Sequence, residues 1–136
     1  MADPFSIVTA SFGLSLSAAK VSKYAYDFTI KVRDARKSMD GIRRELMSIE
    51  SVLRLIAEDI RIPGATHPPT LESILNDCET NIGHLEALLV KYDKERLSSK
   101  IKYVWRGKDK MEEYQKVLAK LSVALSITVE LITLWV

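Results

Sequence analysis

Apolar residues recur along this chain at three- and four-residue intervals, the period of one face of an α-helix. The clearest run is Met39, Ile42, Leu46, Ile49, Leu53, Ile56 and Ile60, spaced 3-4-3-4-3-4. Its opposite face carries Arg43, Arg44, Glu50, Arg54 and Glu58. That division predicts an amphipathic helix, stopped by Pro63-Gly64. Ahead of it, Ile7, Leu14, Val21 and Phe28 lie seven apart, with Ser11, Ala18, Ala25 and Val32 at the alternate positions. Together they make one seam through residues 7–32. They predict a helix from Pro4 to about Lys37, with a bend admitted near Ala19–Ser22. Asp3 is its expected N-cap and Pro4 its first helical residue.

Pro68-Pro69-Thr70 opens a third predicted helix, with Thr70 as N-cap. Its stripe is Leu71, Ile74, Cys78, Ile82, Leu85, Leu89 and Tyr92. The stretch from Ile62 to Pro69 reads as the one obvious loop. A charged stretch follows from Lys91 to Lys110, with a break expected at Gly107. A last helix is expected from near Lys108, faced by Met111, Tyr114, Leu118, Leu121, Leu125, Ile132 and Trp135. From Leu121 to Val136 only Glu130 is charged, so that end calls for cover by the bundle, a partner or lipid. The fold class predicted is all-α: an up-and-down bundle of four to five helices, the first and last of them long. Residues 1–136 read as a single domain, expected to be the N-terminal part of a larger protein.

Composition agrees with this picture. The chain has 136 residues, 47% hydrophobic and 28% charged, enough to bury a core without metal or disulfide. Five Gly and four Pro are too few for strands joined by tight turns. The net charge of +2 selects no class of partner. Cys78 is the only cysteine, which excludes an internal disulfide and points to a reducing compartment. Its place on an apolar stripe predicts a small buried hydrophobe rather than a reactive thiol. Pro4–Ala19 carries no charge, but no basic segment precedes it, so it does not read as a signal peptide. As a helix it would reach only about 24 Å, short of a ~30 Å hydrocarbon layer.

Candidate chemistry is sparse. His67 lies in the Pro-rich loop and His84 on a helix, and no Cys/His or Asp/His group has metal-ligand spacing. Cys78 and His84 stand six apart, on different sides of a helix, and no glycine-rich phosphate loop is present. The expectation is a non-enzyme with no cofactor and no metal.

Two segments stand out instead. On the first helix small residues recur four apart, as Ser6/Ala10, Ser11/Ser15/Ala19 and Gly13/Ser17, which lets helices approach closely. Phe5, Val8, Phe12 and Leu16 form a second, bulkier face. A helix apolar on two faces is expected to be enclosed, either as a central bundle helix or, after leaving the bundle, in a membrane. The second segment holds Lys94, Arg96, Lys100, Lys102, Arg106, Lys108 and Lys110 with Tyr103 and Trp105 among them. A solvated helix with both aromatics turned inward, a patch for anionic lipid headgroups, and a nucleic-acid surface all fit that composition, the last least well.

Several blocks resemble the HeLo-like domain found at the N-terminus of fungal STAND (NLR-type) receptors. They are the opening Met1-Ala2-Asp3-Pro4-Phe5-Ser6-Ile7-Val8-Thr9-Ala10, then Gly13-Leu14, Lys20-Val21-Ser22 and Tyr26-Asp27-Phe28. Arg43-Arg44-Glu45-Leu46 with Ile49-Glu50-Ser51-Val52-Leu53, then Leu75 with Cys78-Glu79, and Lys102 with Trp105 and Gly107-Lys108, continue the likeness. The resemblance implies a helical bundle related to HeLo cell-death domains, placed before a nucleotide-binding domain. It implies a cytoplasmic protein that self-associates on activation, moves to the plasma membrane and disrupts it through its N-terminal helix, causing programmed cell death in heterokaryon incompatibility or innate immunity. On this chain that role falls on Pro4–Ala19, with Phe5, Ile7, Val8, Phe12, Gly13, Leu14 and Leu16 as the membrane-inserting residues. The lipid-headgroup patch would be Lys94, Arg96, Lys100, Lys102, Tyr103, Trp105, Arg106, Lys108 and Lys110. The alternative is a homotypic interaction or adaptor module with no membrane activity of its own.

Overall fold

The computed structural model of the chain describes residues 4–31, 35–58, 69–94 and 108–134. They form four helices: α1 (Pro4–Lys31), α2 (Arg36–Glu58), α3 (Pro69–Lys94) and α4 (Lys108–Leu134). No strand occurs among the described residues. The fold is therefore all-α, with four helices among the described residues, within the expected four to five.

The buried faces follow the sequence period. On α2, Met39, Ile42, Leu46, Ile49, Leu53 and Ile56 are all buried, and the charged side chains fall elsewhere. Burying each such side chain stabilises the fold by roughly 1.5–3 kcal/mol. On α1 the seam of Ile7, Ser11, Leu14, Ala18, Val21, Ala25 and Phe28 turns inward, as its spacing predicts. Leu71, Ile74, Cys78, Ile82, Leu85, Leu89 and Tyr92 do so on α3, and Met111, Leu118, Leu121 and Leu125 on α4. These residues belong to one continuous core.

Three boundaries differ from the sequence reading. The first helix ends at Lys31, and Arg36 already belongs to α2. Phe28, Val32, Ala35 and Met39 keep the 4-3-4 spacing, so periodicity runs on through the break between two helices. Only the folding of α2 back against α1 reveals the break. α1 itself continues as helix through Ala19–Ser22. α3 starts at Pro69, which puts Thr70 inside the first turn rather than at the cap. A proline there loses no helical hydrogen bond, because the first N–H groups have no partner anyway.

Contacts between named side chains give the topology. Arg43, near the start of α2, stacks on Tyr26, near the end of α1, so these helices run antiparallel. Lys20 pairs with Glu86 at 3.1 Å, and Phe28 packs on Tyr92 at 5.9 Å, so α1 and α3 run parallel, side by side. Residues near the end of α3 and the start of α4 line one groove, which makes that pair antiparallel. The chain thus runs up, down, up, down. Its packed neighbours are α1–α2, α2–α4, α1–α3 and α3–α4, which sets α2 and α3 on a diagonal.

Two glycines inside helices have opposite meanings. A methyl group at Gly41 would stand 2.5 Å from the Gln115 amide nitrogen, so the end of the Gln115 side chain on α4 occupies the space a larger residue would need. Gly83 is exposed, and an added methyl would meet nothing within 4 Å. Replacing Gly83 by alanine is therefore expected to stabilise the protein by about 0.5–1 kcal/mol, since alanine orders into a helix at less entropic cost. A urea titration of the variant reads this as a raised midpoint with an unchanged slope.

Candidate functional site

α1 presents two unlike faces. The inner seam buries the hydroxyl-bearing Ser11, Ser15 and Ser22 together with Ala18 and Ala25. The Ser15 hydroxyl donates to the Phe12 carbonyl oxygen at 2.7 Å, but the Ser11 hydroxyl is buried without a hydrogen-bond partner. An unsatisfied buried hydroxyl costs on the order of 1–3 kcal/mol.

The outer face of α1 is apolar and open. Phe12 is 50% exposed and Leu16 is 53% exposed, with Tyr26 and Ile30 also exposed. This overturns the expectation that both apolar faces of this helix would be enclosed. Four helices arranged as a ring give each one a single inward direction, so a second face has nowhere to pack. Phe12, Leu16, Ala19, Lys23, Tyr26 and Ile30 are spaced 4-3-4-3-4. The sequence reading followed this outer stripe only as far as Leu16. Its signal was the same spacing, interrupted by Lys23. The stripe abuts α2, where the Arg43 guanidinium lies 4.9 Å from the centre of the Tyr26 ring.

The seven residues assigned to membrane insertion divide between these faces. Ile7 and Leu14 belong to the core, Val8 is half-buried, and Phe12, Gly13 and Leu16 are exposed. The Phe5 side chain lies outside the described residues. Most of the basic-aromatic segment does too: Arg96, Lys100, Lys102, Tyr103, Trp105 and Arg106, with the side chains of Lys94 and Lys108. Lys110 is exposed on the first turn of α4. His67 falls outside the description as well, and His84 is exposed on α3. The apolar end of α4 is only partly covered by the bundle, which leaves Val123, Ile127 and Leu131 exposed at four-residue spacing.

Cys78 is buried, and loss of hydration pushes its thiol up to about 11 from an ordinary 9.0, with the Asp77 charge adding to the effect. At pH 8 its thiolate fraction is then about a hundredth of that in the unfolded chain. Ellman's reagent is expected to label the native protein about a hundredfold more slowly than the urea-unfolded one. Because the folded value is the raised one, this thiol favours folding fully below pH 9 and loses that contribution as pH rises from 9 to 11.

A second feature is a groove of about 560 Å³ between α3 and α4. Leu88 and Tyr114, both half-buried against the core, form part of it, with Val117 beside them. Asn81 and His84 line one end, and Lys91 and Lys110 the other. Among the described residues no group of three His, Cys, Asp or Glu side chains is placed to hold a metal ion. No helix among them is long and apolar enough to cross a membrane. The chain matches no family model, no curated protein and no solved structure.

Proposed function

We propose that this chain is a non-enzymatic effector domain of an NLR-like receptor, acting through self-association and membrane targeting by α1. The observation that carries the reading is the open apolar outer face of α1, Phe12 and Leu16, on a helix already packed through its other face. Such a helix is attracted to apolar surroundings outside the bundle, and leaving the bundle exchanges the buried surface of Ile7, Leu14, Val21 and Phe28 for that new apolar environment. The resemblance of the opening residues to HeLo-like domains supports the same assignment. Since α1 is not long and apolar enough to cross a bilayer, the helix acts in the interfacial layer, apolar stripe down, with Lys20 beside the stripe toward anionic headgroups. In the resting cytoplasmic receptor a nucleotide-binding domain would control its assembly, and the plasma membrane would be its target.

The homotypic adaptor reading draws on one observation of its own. The 4-3-4-3-4 spacing of the outer stripe is the geometry of helix-to-helix packing, whatever the solvent. Two measurements on the same protein separate the readings. Dye release from liposomes containing phosphatidylserine, absent with neutral liposomes, is the expected result for the effector. Concentration-dependent association in plain buffer, with no dye release, would replace it by the adaptor.

A further inference from the structure

We infer that the α3–α4 groove is a binding site for a small amphiphilic anion, a ligand with one anionic head on an apolar body. The groove, about 560 Å³, is open to solvent and wide enough to take one face of a small molecule. Leu88, Tyr114 and Val117 offer an apolar wall to the body of the ligand. Leu88 and Tyr114 are packed against the core, so that wall is held in shape without a ligand. The polar groups are set apart from it. Lys91 stands one turn beyond Leu88 on α3, and Lys110 one turn before Tyr114 on α4. The antiparallel packing of the two helices sets both lysines at the same end of the groove. Both lysines are exposed, so each side chain is free to turn toward the groove.

Glu113 also lines the groove and opposes an anion. Its effect gives the inference a sign. Neutralising Glu113 must strengthen binding, whereas reversing the lysines must weaken it. A neutral apolar ligand would respond to neither change. This site is independent of the α1 stripe, which lies on the α2 side of α1, away from α4.

The test is a fluorescence titration of the full chain with 8-anilinonaphthalene-1-sulfonate, an aromatic body bearing one sulfonate. Saturable one-to-one binding is expected. The Lys91→Glu/Lys110→Glu variant should bind about tenfold more weakly or worse, and Glu113→Gln about two- to fivefold more tightly. N-phenyl-1-naphthylamine, the uncharged counterpart, should bind wild type and both variants alike. All three side chains are exposed, and circular dichroism checks that each variant keeps its helix content. Lys91→Gln/Lys110→Gln serves if charge reversal perturbs the fold. Sulfonate binding unchanged by loss of the lysines would overturn the inference. So would binding that is lost in Phe12→Ser/Leu16→Ser, because that places the probe on α1. Displacement of the probe by decanoate marks a lipid-derived ligand, and displacement by 1-naphthyl phosphate a soluble aromatic one. Displacement by neither would also overturn the assignment of this ligand class.

Discussion

Leu53→Ala is expected to cost about 2–5 kcal/mol of folding stability. Leu53 is 0% exposed and sits in the last two turns of α2, flanked by Ile49 and Ile56, which are buried with it. α2 packs against both α1 and α4, and Leu53 belongs to the one core these helices share. Truncation removes the transfer energy of the lost methyl groups and leaves a cavity that the surrounding helices close only in part. A fall in melting temperature on the order of 10 °C is the expected reading. Leu55 supplies the control. It lies two residues further along the same helix, is 40% exposed, and its truncation should change stability by no more than roughly 0.5 kcal/mol. Equal effects at the two positions would show that the assigned core of α2 is wrong.

The second large effect concerns activity with no change in stability. Phe12→Glu together with Leu16→Glu is expected to abolish dye release from anionic liposomes while leaving the melting temperature close to wild type. Both side chains already face solvent, so carboxylates there meet water and not the core. At a membrane surface the same carboxylates would have to enter the apolar layer and would be repelled by anionic headgroups. Leu14→Glu makes the contrast. Leu14 is 8% exposed, so a charge there is buried and unpaired, and the expected outcome is loss of the fold. Deleting residues 1–19 would be a poorer test, because it removes Ile7, Leu14 and Ala18 from the core along with the outer stripe. Dye release that survives the Phe12/Leu16 substitutions would remove this face of α1 from the mechanism.

Much of this architecture was legible before any coordinates. The 3-4 spacing of Met39 to Ile56 placed every one of those residues inside, and the heptad of Ile7, Leu14, Val21 and Phe28 did the same for α1. Periodicity reports where an apolar side chain lies around its own helix axis, and burial in a bundle depends first on that angle. The same reasoning put Cys78 in the core and started α4 near Lys108.

The tertiary structure decided what an angle about one axis does not contain. The Phe28, Val32, Ala35, Met39 series keeps its phase across the end of α1, so only the antiparallel return of α2 exposes the break. Two apolar faces competed on α1. The seam rich in serine and alanine went inward, where small side chains let α2 come close, and the bulkier Phe12 and Leu16 stayed outside. The parallel contact of α1 with α3, seen in Lys20–Glu86 and Phe28–Tyr92, joins residues more than sixty positions apart. The placing of Lys91 and Lys110 along one groove likewise depends on which helices became neighbours. A helical pattern tells each segment which side to bury. Which partner covers that side is settled by the shapes of all four helices at once.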